Sequence, residues 1–193
     1  DMTGDMVSLA RRNAAKGGYQ NVQFYLAEIE AMPIPSNSVD CVISNCVLNL
    51  VEDKDAALRE VFRILKPGGR LAISDIALKQ PLPGEMQEAI AAWVGCFGGA
   101  LTIEENRDKL SAAGFGEVQI QDSGADLNVY TEGSSAACCA PDPAAVGCCA
   151  PVAGAEELPA AGDEAFHDRM GELLRTVDAN EYAASVKIFA VKN

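Results

Sequence analysis

Residues 39–50, VDCVISNCVLNL, decide the fold that we expect for this chain. The first half is a run of Val, Ile and Cys that is typical of a buried strand in a parallel sheet, here residues 39–44. The run ends in Asn45 and Cys46. In an open α/β sheet ligands bind just beyond the carboxyl ends of the strands, so these two residues are the first candidates for a functional site. Cys41 lies in the middle of the run and is predicted to be a core residue.

Helix and strand signals on both sides of this run predict an α/β fold. Thr3, Asp53 and the Thr102–Glu105 capping box each open an amphipathic or helix-forming stretch, and Lys66-Pro67-Gly68-Gly69 is a turn signal. The predicted helices are 3–16, 53–65, 85–94, 102–113 and 166–177, and the predicted strands are 22–26, 39–44, 70–77, 118–122 and 184–192. We expect an incomplete doubly wound sheet, mostly parallel, with strands 118–122 and 184–192 forming an antiparallel edge.

Composition limits the partners of the chain. The 193 residues include 28 acidic and 15 basic side chains, for a formal net charge of -13. This charge argues against nucleic acid and anionic membranes, because both would be repelled. No apolar run is long enough to span a bilayer, and no signal peptide is present, so we expect a cytoplasmic protein.

The cysteines divide the chain into regions. There are seven cysteines and one histidine, His167, which argues against histidine-based catalysis or a histidine-rich zinc site. Residues 1–124 are predicted to be a partial domain, 125–163 a flexible segment rich in Ala, Pro and Cys, and 164–193 a helix and strand that complete the domain. The flexible segment carries a repeated Cys-Cys pair, at Cys138-Cys139 and Cys148-Cys149.

Several of these motifs resemble a known family. LKPGGRLAISDI (65–76) and AEIEAMPIPSNSVD (27–40) resemble class I S-adenosylmethionine-dependent methyltransferases. VDCVISNCVLNL, GCFGGAL (95–101) and the doubled Cys-Cys pairs are similar to bacterial arsenite methyltransferases within that superfamily. The resemblance covers almost the whole chain. The family's Gly-rich loop and a further arsenic-binding cysteine would precede Asp1, so the resemblance implies an N-terminally truncated member without its first strand.

The resemblance implies a set of residues that bind S-adenosylmethionine. Asp1, followed by Met2, matches the acidic residue that accepts hydrogen bonds from the ribose hydroxyls. Glu28 matches the carboxylate that meets the adenine amino group, and Ile29 the backbone N–H for a ring nitrogen. Asn45 matches a turn residue near the sulfonium. The alternatives are a solvated terminal Asp, an exposed loop Glu and an ordinary Asn turn.

The cysteines carry the more specific implication. Arsenic(III) is a soft ion and thiolates are the soft ligands that proteins offer, so Cys46 and Cys96 are the candidate arsenic ligands and catalytic residues. Methyl transfer from a sulfonium needs alignment more than a general base. The alternative is that both are small buried hydrophobic residues. The tail pairs either capture thiophilic ions or oxidise in solvent: Cys138, Cys139, Cys148 and Cys149.

The expected function is therefore methylation of arsenic(III), presented as a glutathione-like thiol adduct, with S-adenosylmethionine as methyl donor, in arsenic detoxification. One alternative is a methyltransferase for a small organic acceptor such as a quinone precursor, which would make the cysteines incidental. Another is a non-catalytic thiol protein that sequesters arsenic or metal.

Overall fold

A computed structural model describes residues 1–81, 98–130 and 178–193 of the chain. The predicted helices at 85–94 and 166–177 lie outside these residues, as do Cys96, His167 and the four tail cysteines. Within the described ranges, no helix is long and apolar enough to cross a membrane.

The described strands form one sheet. They are β1 (Val39–Asn45), β2 (Leu65–Leu78), β3 (Phe115–Asp122) and β4 (Ala183–Lys192), in the spatial order β1-β2-β4-β3. β1 pairs parallel with β2, whereas β4 lies between β2 and β3 and is antiparallel to both. Three strands therefore run in one direction. The predicted antiparallel pairing of the last two strands is confirmed, with β4 inside the sheet and β3 at its edge.

The first three described helices begin at the predicted caps, and a fourth short helix was not predicted. They are α1 (Gly4–Gly17), α2 (Lys54–Ile64), α3 (Ile103–Ala112) and the short α4 (Ala179–Tyr182). The Asp53 side chain accepts from the Ala56 N–H, and Thr102 and Glu105 form the predicted capping box. Thr3 occupies the N-cap position of α1 without a side-chain cap bond, and the Asp1 carboxylate accepts from the Thr3 N–H instead.

The core lies between one face of the sheet and helices α2 and α3. The apolar faces of the two helices meet alternate residues of β2 and β4, since side chains alternate across a strand. The buried residues of this cluster include Leu58, Val61, Leu71, Ile73, Leu110, Phe115, Val186, Ile188 and Ala190.

A buried lysine closes the end of β4. Lys192 Nζ donates to Asn37 Oδ1 at 2.8 Å and to the Phe62 carbonyl oxygen at 2.7 Å, and it lies 4.4 Å from the centre of the Phe62 ring. Both ammonium contacts are charge-assisted and the ring adds a cation–π contact. Lys192 therefore joins the carboxyl end of β4 to the last turn of α2. This contact lies at the end of the sheet that is opposite to the end where Asn45 lies.

The turn signal at 66–69 lies inside β2, where it interrupts the pairing with β1. α2 ends at Ile64, and the register between the first two strands jumps from Val39 opposite Leu65 to Cys41 opposite Arg70. Residues 66–69 are therefore looped out of the parallel ladder. Gly68 has a φ of +76°, a conformation that glycine adopts without steric cost.

The predicted strand at 22–26 is wrong. The structure assigns no strand there, and Val22, Tyr25 and Leu26 are exposed. The backbone here makes isolated hydrogen bonds instead of a ladder: the Phe24 carbonyl oxygen accepts from the Arg11 side chain at 2.8 Å, and the Tyr25 carbonyl oxygen accepts from the amino group of Asp1. The Ala27 N–H, just after the segment, donates to the Asp1 carbonyl oxygen. An apolar β-branched stretch becomes a strand only where a partner strand continues the ladder.

β1 is half-buried rather than fully buried, so the predicted core position of Cys41 is wrong. Cys41 is exposed and Ile43 is 80% exposed. Val42, on the other face, pairs with buried Leu71 and packs against the core. The helices of the described core cover one face of the sheet, and successive side chains of a strand point to opposite faces.

Two Asp-x-Asn tripeptides, 126–128 and 178–180, form a reciprocal set of hydrogen bonds that we call the Asx clasp. Each Asp accepts from the N–H of its own Asn at 2.9 Å. Each Asn side chain donates to the Asp of the other tripeptide, at 2.7 and 3.0 Å, and accepts from the middle N–H of that tripeptide, at 2.8 and 2.9 Å. The clasp therefore joins the residues on either side of 131–177.

The clasp predicts a loss of stability in acid. The Asn180 amide lowers the pKa of Asp126, and the Asn128 amide lowers the pKa of Asp178. A depressed carboxyl pKa contributes stability above the ordinary range near pH 4, and the contribution disappears as the pH falls through the folded-state pKa. We expect D126N/D178N to melt below the parent chain at pH 7 and to converge with it below about pH 4, by circular dichroism.

The control for this measurement is D108N, which replaces an exposed aspartate outside the clasp. A melting difference for D126N/D178N that is the same at pH 7 and at about pH 3 would contradict the assignment.

The exposed edge predicts self-association. β1 ends the sheet order and carries the exposed Ile43, and edge strands with apolar side chains pair with other chains. We expect light scattering after size exclusion to show dimers or larger species, and I43K to shift the population toward monomer. Leu26, which is 60% exposed but outside the sheet, supplies the control L26K. A monodisperse, cooperatively melting monomer would contradict this prediction.

Candidate functional site

The carboxyl ends of β1 and β2 lie at the same edge of the sheet, because the two strands are parallel. β1 ends at Asn45 and β2 at Leu78. The backbone after β2 is bonded to two other segments, since the Leu78 N–H donates to the Leu101 carbonyl and the Lys79 N–H to the Tyr182 carbonyl. Two other segments, 98–102 and 178–182, therefore meet the carboxyl end of β2, which is where we expect ligands to bind.

Cys46 is the first residue beyond β1. Its backbone has a φ of +54°, a conformation that residues other than glycine adopt at some cost, and its N–H donates to the Ser74 carbonyl at 2.9 Å. The side chain is half-buried, and its Sγ lies 3.9 Å from Oδ1 of the exposed Asn45. The fold thus places the predicted pair Asn45 and Cys46 at the edge, with the Cys46 backbone fixed to β2.

A buried polar pair joins the turn that follows Cys46 to β2. Asn49, in the 3₁₀ turn Leu48–Leu50, is 6% exposed, and Asp75 on β2 is 5% exposed. The Asn49 side-chain amide donates to Asp75 Oδ1 at 2.8 Å and to the Ile76 carbonyl at 2.7 Å. The Asn49 N–H donates to Asp75 Oδ2 at 3.4 Å, and the Ile76 N–H to Oδ1 at 2.9 Å.

Lys54 and Gly99 complete this polar group. The Lys54 ammonium donates to the carbonyls of Asn49 and Val51, at 3.2 and 2.8 Å. A Cβ added to Gly99 would lie 1.9 Å from the Asn49 carbonyl oxygen, so the backbone of residue 99 packs directly against that carbonyl. The segment that follows Cys96 in sequence and the segment that follows Cys46 are therefore in contact.

Burial sets the protonation of this group. Burial raises the pKa of Asp75, while the N–H groups of Ile76 and Asn49 and the Lys54 charge oppose that rise. Burial lowers the pKa of Lys54, and Asp75 opposes that change. Because folding raises the pKa of Asp75, the protonated carboxyl favours the folded state and the ionised carboxyl opposes it. The favourable contribution of the protonated form is lost as the pH rises through the folded-state pKa.

Sequence reasoning missed Asn49 and Asp75. A signal for Asp75 exists, since it is a charged residue inside the apolar strand segment LAISDI (71–76), where a carboxylate needs buried donors. Asn49 lies between Leu48 and Leu50, and this local pattern does not indicate that the amide side chain is buried.

The predicted adenosyl-binding residues lie on a second part of the structure. Main-chain bonds hold Asp1 beside Tyr25 and Ala27, and so beside the segment that leads into Glu28. Glu28 is exposed and precedes the 3₁₀ turn Ile29–Ala31, and Met2 is 75% exposed. Two accessible carboxylates on adjoining segments fit the adenosyl part of S-adenosylmethionine, whose ribose hydroxyls and amino group are donors. Asp1 Oδ1 also accepts from the Thr3 N–H at 2.8 Å.

The far end of α2 holds the loop after Glu28. Glu60 Oε1 accepts from the Met32 N–H at 2.8 Å, and Arg63 donates to the carbonyls of Met32 and Ile34 at 3.2 and 2.8 Å. The hydrogen bond from Arg63 lowers the pKa of Glu60. Met32, in the loop after Glu28, packs its side chain against the hydrophobic core.

The structure thus groups the predicted residues in two sets. Asn45 and Cys46 lie at the carboxyl edge, and Asp1, Met2, Glu28 and Ile29 lie together at the loop held by α2. Cys96, Cys138, Cys139, Cys148 and Cys149 lie outside the described residues. Within residues 1–81, 98–130 and 178–193, no group of three or more His, Cys, Asp or Glu side chains is arranged to hold a metal ion.

Comparisons with known proteins identify the family. A family model described as a methyltransferase domain matches residues 1–123. The chain is 43% identical over 120 residues to an arsenite methyltransferase of Halobacterium salinarum, covering 62% of this chain and 31% of that protein. It is 42% identical over 78 residues to a ubiquinone/menaquinone biosynthesis C-methyltransferase of Hahella chejuensis, covering 40% of this chain and 31% of that protein. The chain thus spans about a third of the length of these relatives.

A solved structure shows the same fold. An arsenic(III) S-adenosylmethionine methyltransferase from Chlamydomonas reinhardtii superposes with a TM-score of 0.59 and 22% identity, covering 100% of this chain and 54% of that one. The chain belongs to the methyltransferase-domain family. The predicted fold class, a Rossmann-like methyltransferase sheet with an antiparallel edge, is confirmed. The predicted resemblance to arsenite methyltransferases is confirmed at the level of sequence similarity.

Proposed function

We propose that this chain acts in the S-adenosylmethionine-dependent methylation of arsenic(III), with Cys46 and Cys96 as the arsenic ligands. The observation that carries the proposal is the position of Cys46, immediately beyond the carboxyl end of β1 and bonded through its N–H to β2. Its side chain is half-buried at an edge where folds of this class bind their ligands. The similarity to an arsenite methyltransferase supports the choice of substrate.

The pairing of Cys46 with Cys96 is supported by the contact between the segments that follow them. Asn49 is three residues after Cys46, and Gly99 is three residues after Cys96. The backbone of Gly99 packs on the Asn49 carbonyl, and the Lys54 ammonium donates to the same carbonyl. A three-residue segment spans at most about 11 Å, so this contact limits how far apart the two cysteines can lie.

Thiolates suit this substrate because arsenic(III) is soft and trivalent. Two thiolates from the chain leave the arsenic lone pair and one coordination position, which a thiol such as glutathione would occupy. When bound, S-adenosylmethionine supplies a methyl group on a positively charged sulfur. The chain then has to align the arsenic lone pair with that methyl carbon, which is a task of orientation more than of proton transfer.

The adenosyl part of the methyl donor would be held at the second set of residues. Asp1 and Glu28 offer carboxylates for the ribose hydroxyls and the adenine amino group, Ile29 offers a backbone N–H, and Met2 lies beside Asp1. Asn45, at the edge itself, would lie near the sulfonium. This chemistry requires reduced thiols, which supports a cytoplasmic location and a role in arsenic detoxification.

A second candidate is methylation of a small organic acceptor. The identity of 42% to a quinone-biosynthesis C-methyltransferase supports it. In that case the scaffold and the adenosyl-binding residues would be shared, but methyl transfer would not depend on Cys46. Dependence on the cysteines therefore separates the two candidates.

Arsenite titration of the reduced chain by calorimetry tests the proposal. We expect C46S and C96S each to weaken binding by at least about tenfold, because each removes one of the soft ligands. The matched control is C41S, which replaces an exposed cysteine on β1, five residues before Cys46, and should leave the affinity unchanged.

A chain with all four tail cysteines replaced by serine completes the set. Loss of arsenite binding in that variant, with normal binding in C46S and C96S, would overturn the proposal and favour sequestration by the tail. Absence of any cysteine dependence would favour an organic acceptor.

A further inference from the structure

We propose that Asn49 and Asp75 are positioning residues for Cys46, which hold the segment that carries its thiol at the carboxyl edge of the sheet. The proposal rests on the function proposed above for its biological meaning. Neither residue is assigned to the binding of arsenic or of the methyl donor.

Hydrogen bonding is the first argument. The Asn49 side chain makes bonds of 2.8 and 2.7 Å to Asp75 Oδ1 and the Ile76 carbonyl, and its N–H reaches Asp75 Oδ2 at 3.4 Å. All three bonds join the turn after Cys46 to β2. Because both polar side chains are buried, removal of one breaks the buried hydrogen bond between them, at a cost above that of an exposed hydrogen bond.

The exposure of the neighbouring side chains is the second argument. Val47 is 45% exposed and Leu50 is 61% exposed, although both are apolar. Leu48, between them, packs against the hydrophobic core. The turn is therefore attached by the apolar contact of Leu48 and by the side-chain hydrogen bonds of Asn49 to β2. The Cys46 N–H bond to the Ser74 carbonyl fixes the backbone at Cys46 itself, and two residues connect Cys46 to Asn49. The pair therefore fixes the chain on the carboxyl side of the thiol.

The third argument is that the same pair connects to the other candidate cysteine segment. The Asn49 carbonyl accepts from Lys54 and packs against the Gly99 backbone, where no side chain would fit. A displacement of Asn49 therefore changes the surface against which residues 98–99 pack. The pair would therefore also position residues 98–99 relative to the turn that follows Cys46.

Thiol labelling of the full, reduced chain tests the proposal without arsenic. The rate of iodoacetamide alkylation is measured separately at Cys46 and at Cys41 by peptide mass spectrometry, and their ratio is compared between variants. In N49A and D75N we expect the Cys46 rate to rise about tenfold, because the turn that half-buries this thiol loses its attachment, while the Cys41 rate stays constant. D75N retains the shape of the side chain and serves where N49A folds poorly.

The control is K192M, which removes a buried polar anchor at the opposite edge of the sheet and retains the aliphatic stem. This variant should lower the melting temperature but leave the Cys46 to Cys41 ratio unchanged. A ratio in N49A and D75N that equals the ratio in K192M would overturn the proposal, since it would show a merely structural role.

Arsenite titration of the same variants separates this proposal from the function. We expect N49A and D75N to bind arsenite about tenfold more weakly than K192M. If the labelling ratio rises in N49A but arsenite binding is indifferent to C46S, the positioning role stands and the arsenic function fails. If C46S abolishes binding but N49A changes neither ratio nor affinity, the function stands and the positioning role fails.

Discussion

The carboxylate of Asp75 is the centre on which the candidate site depends. A buried carboxylate is costly unless donors surround it, and here the backbone N–H of Ile76 and both nitrogens of Asn49 point to it. The two nitrogens of Asn49 join β2, which carries Asp75 and Ile76, to the turn that follows Cys46. Burial still raises the pKa of the carboxyl, so the donors offset only part of the desolvation cost. Such a polar pair contributes a specific geometry more than net stability.

Helix α2 connects the two sets of site residues. Lys54, in its first turn, holds the Asn49 carbonyl behind Cys46, whereas Glu60 and Arg63, in its second half, hold the loop that follows Glu28. The helix has 11 residues and a length of about 16 Å, which is comparable with the long dimension of a nucleoside and its attached chain. One rigid element therefore fixes both the cysteine segment and the loop with the predicted adenosyl contacts.

Local signals in the sequence predicted much of the fold. The caps at Asp53 and Thr102, the turn at 66–69 and the antiparallel pairing of the last two strands depend on nearby residues or on strong alternation, and all are observed. The failures depend on distant partners. The stretch at 22–26 has strand composition but no continuous partner, and Cys41 lies in an apolar run on a face that the described helices leave uncovered.

The residues of the candidate site also divide into those that local sequence signals predicted and those that depend on distant partners. The location of Asn45 and Cys46 followed from the strand ending, which is local. The pairing of Asn49 with Asp75 joins residues 26 positions apart and could not be inferred from either segment alone. The roles of Asp1, Glu28 and Cys96 came from family resemblance, and they remain proposals that chemistry has to test.

The most direct test of the account is X-ray absorption at the arsenic edge, on arsenite bound to the chain that lacks the four tail cysteines. The account predicts that C46S removes one sulfur from the arsenic coordination shell, with an oxygen or a nitrogen in its place, and that C41S leaves the shell unchanged. An identical sulfur count with and without Cys46 would contradict the central claim that this edge of the sheet binds arsenic.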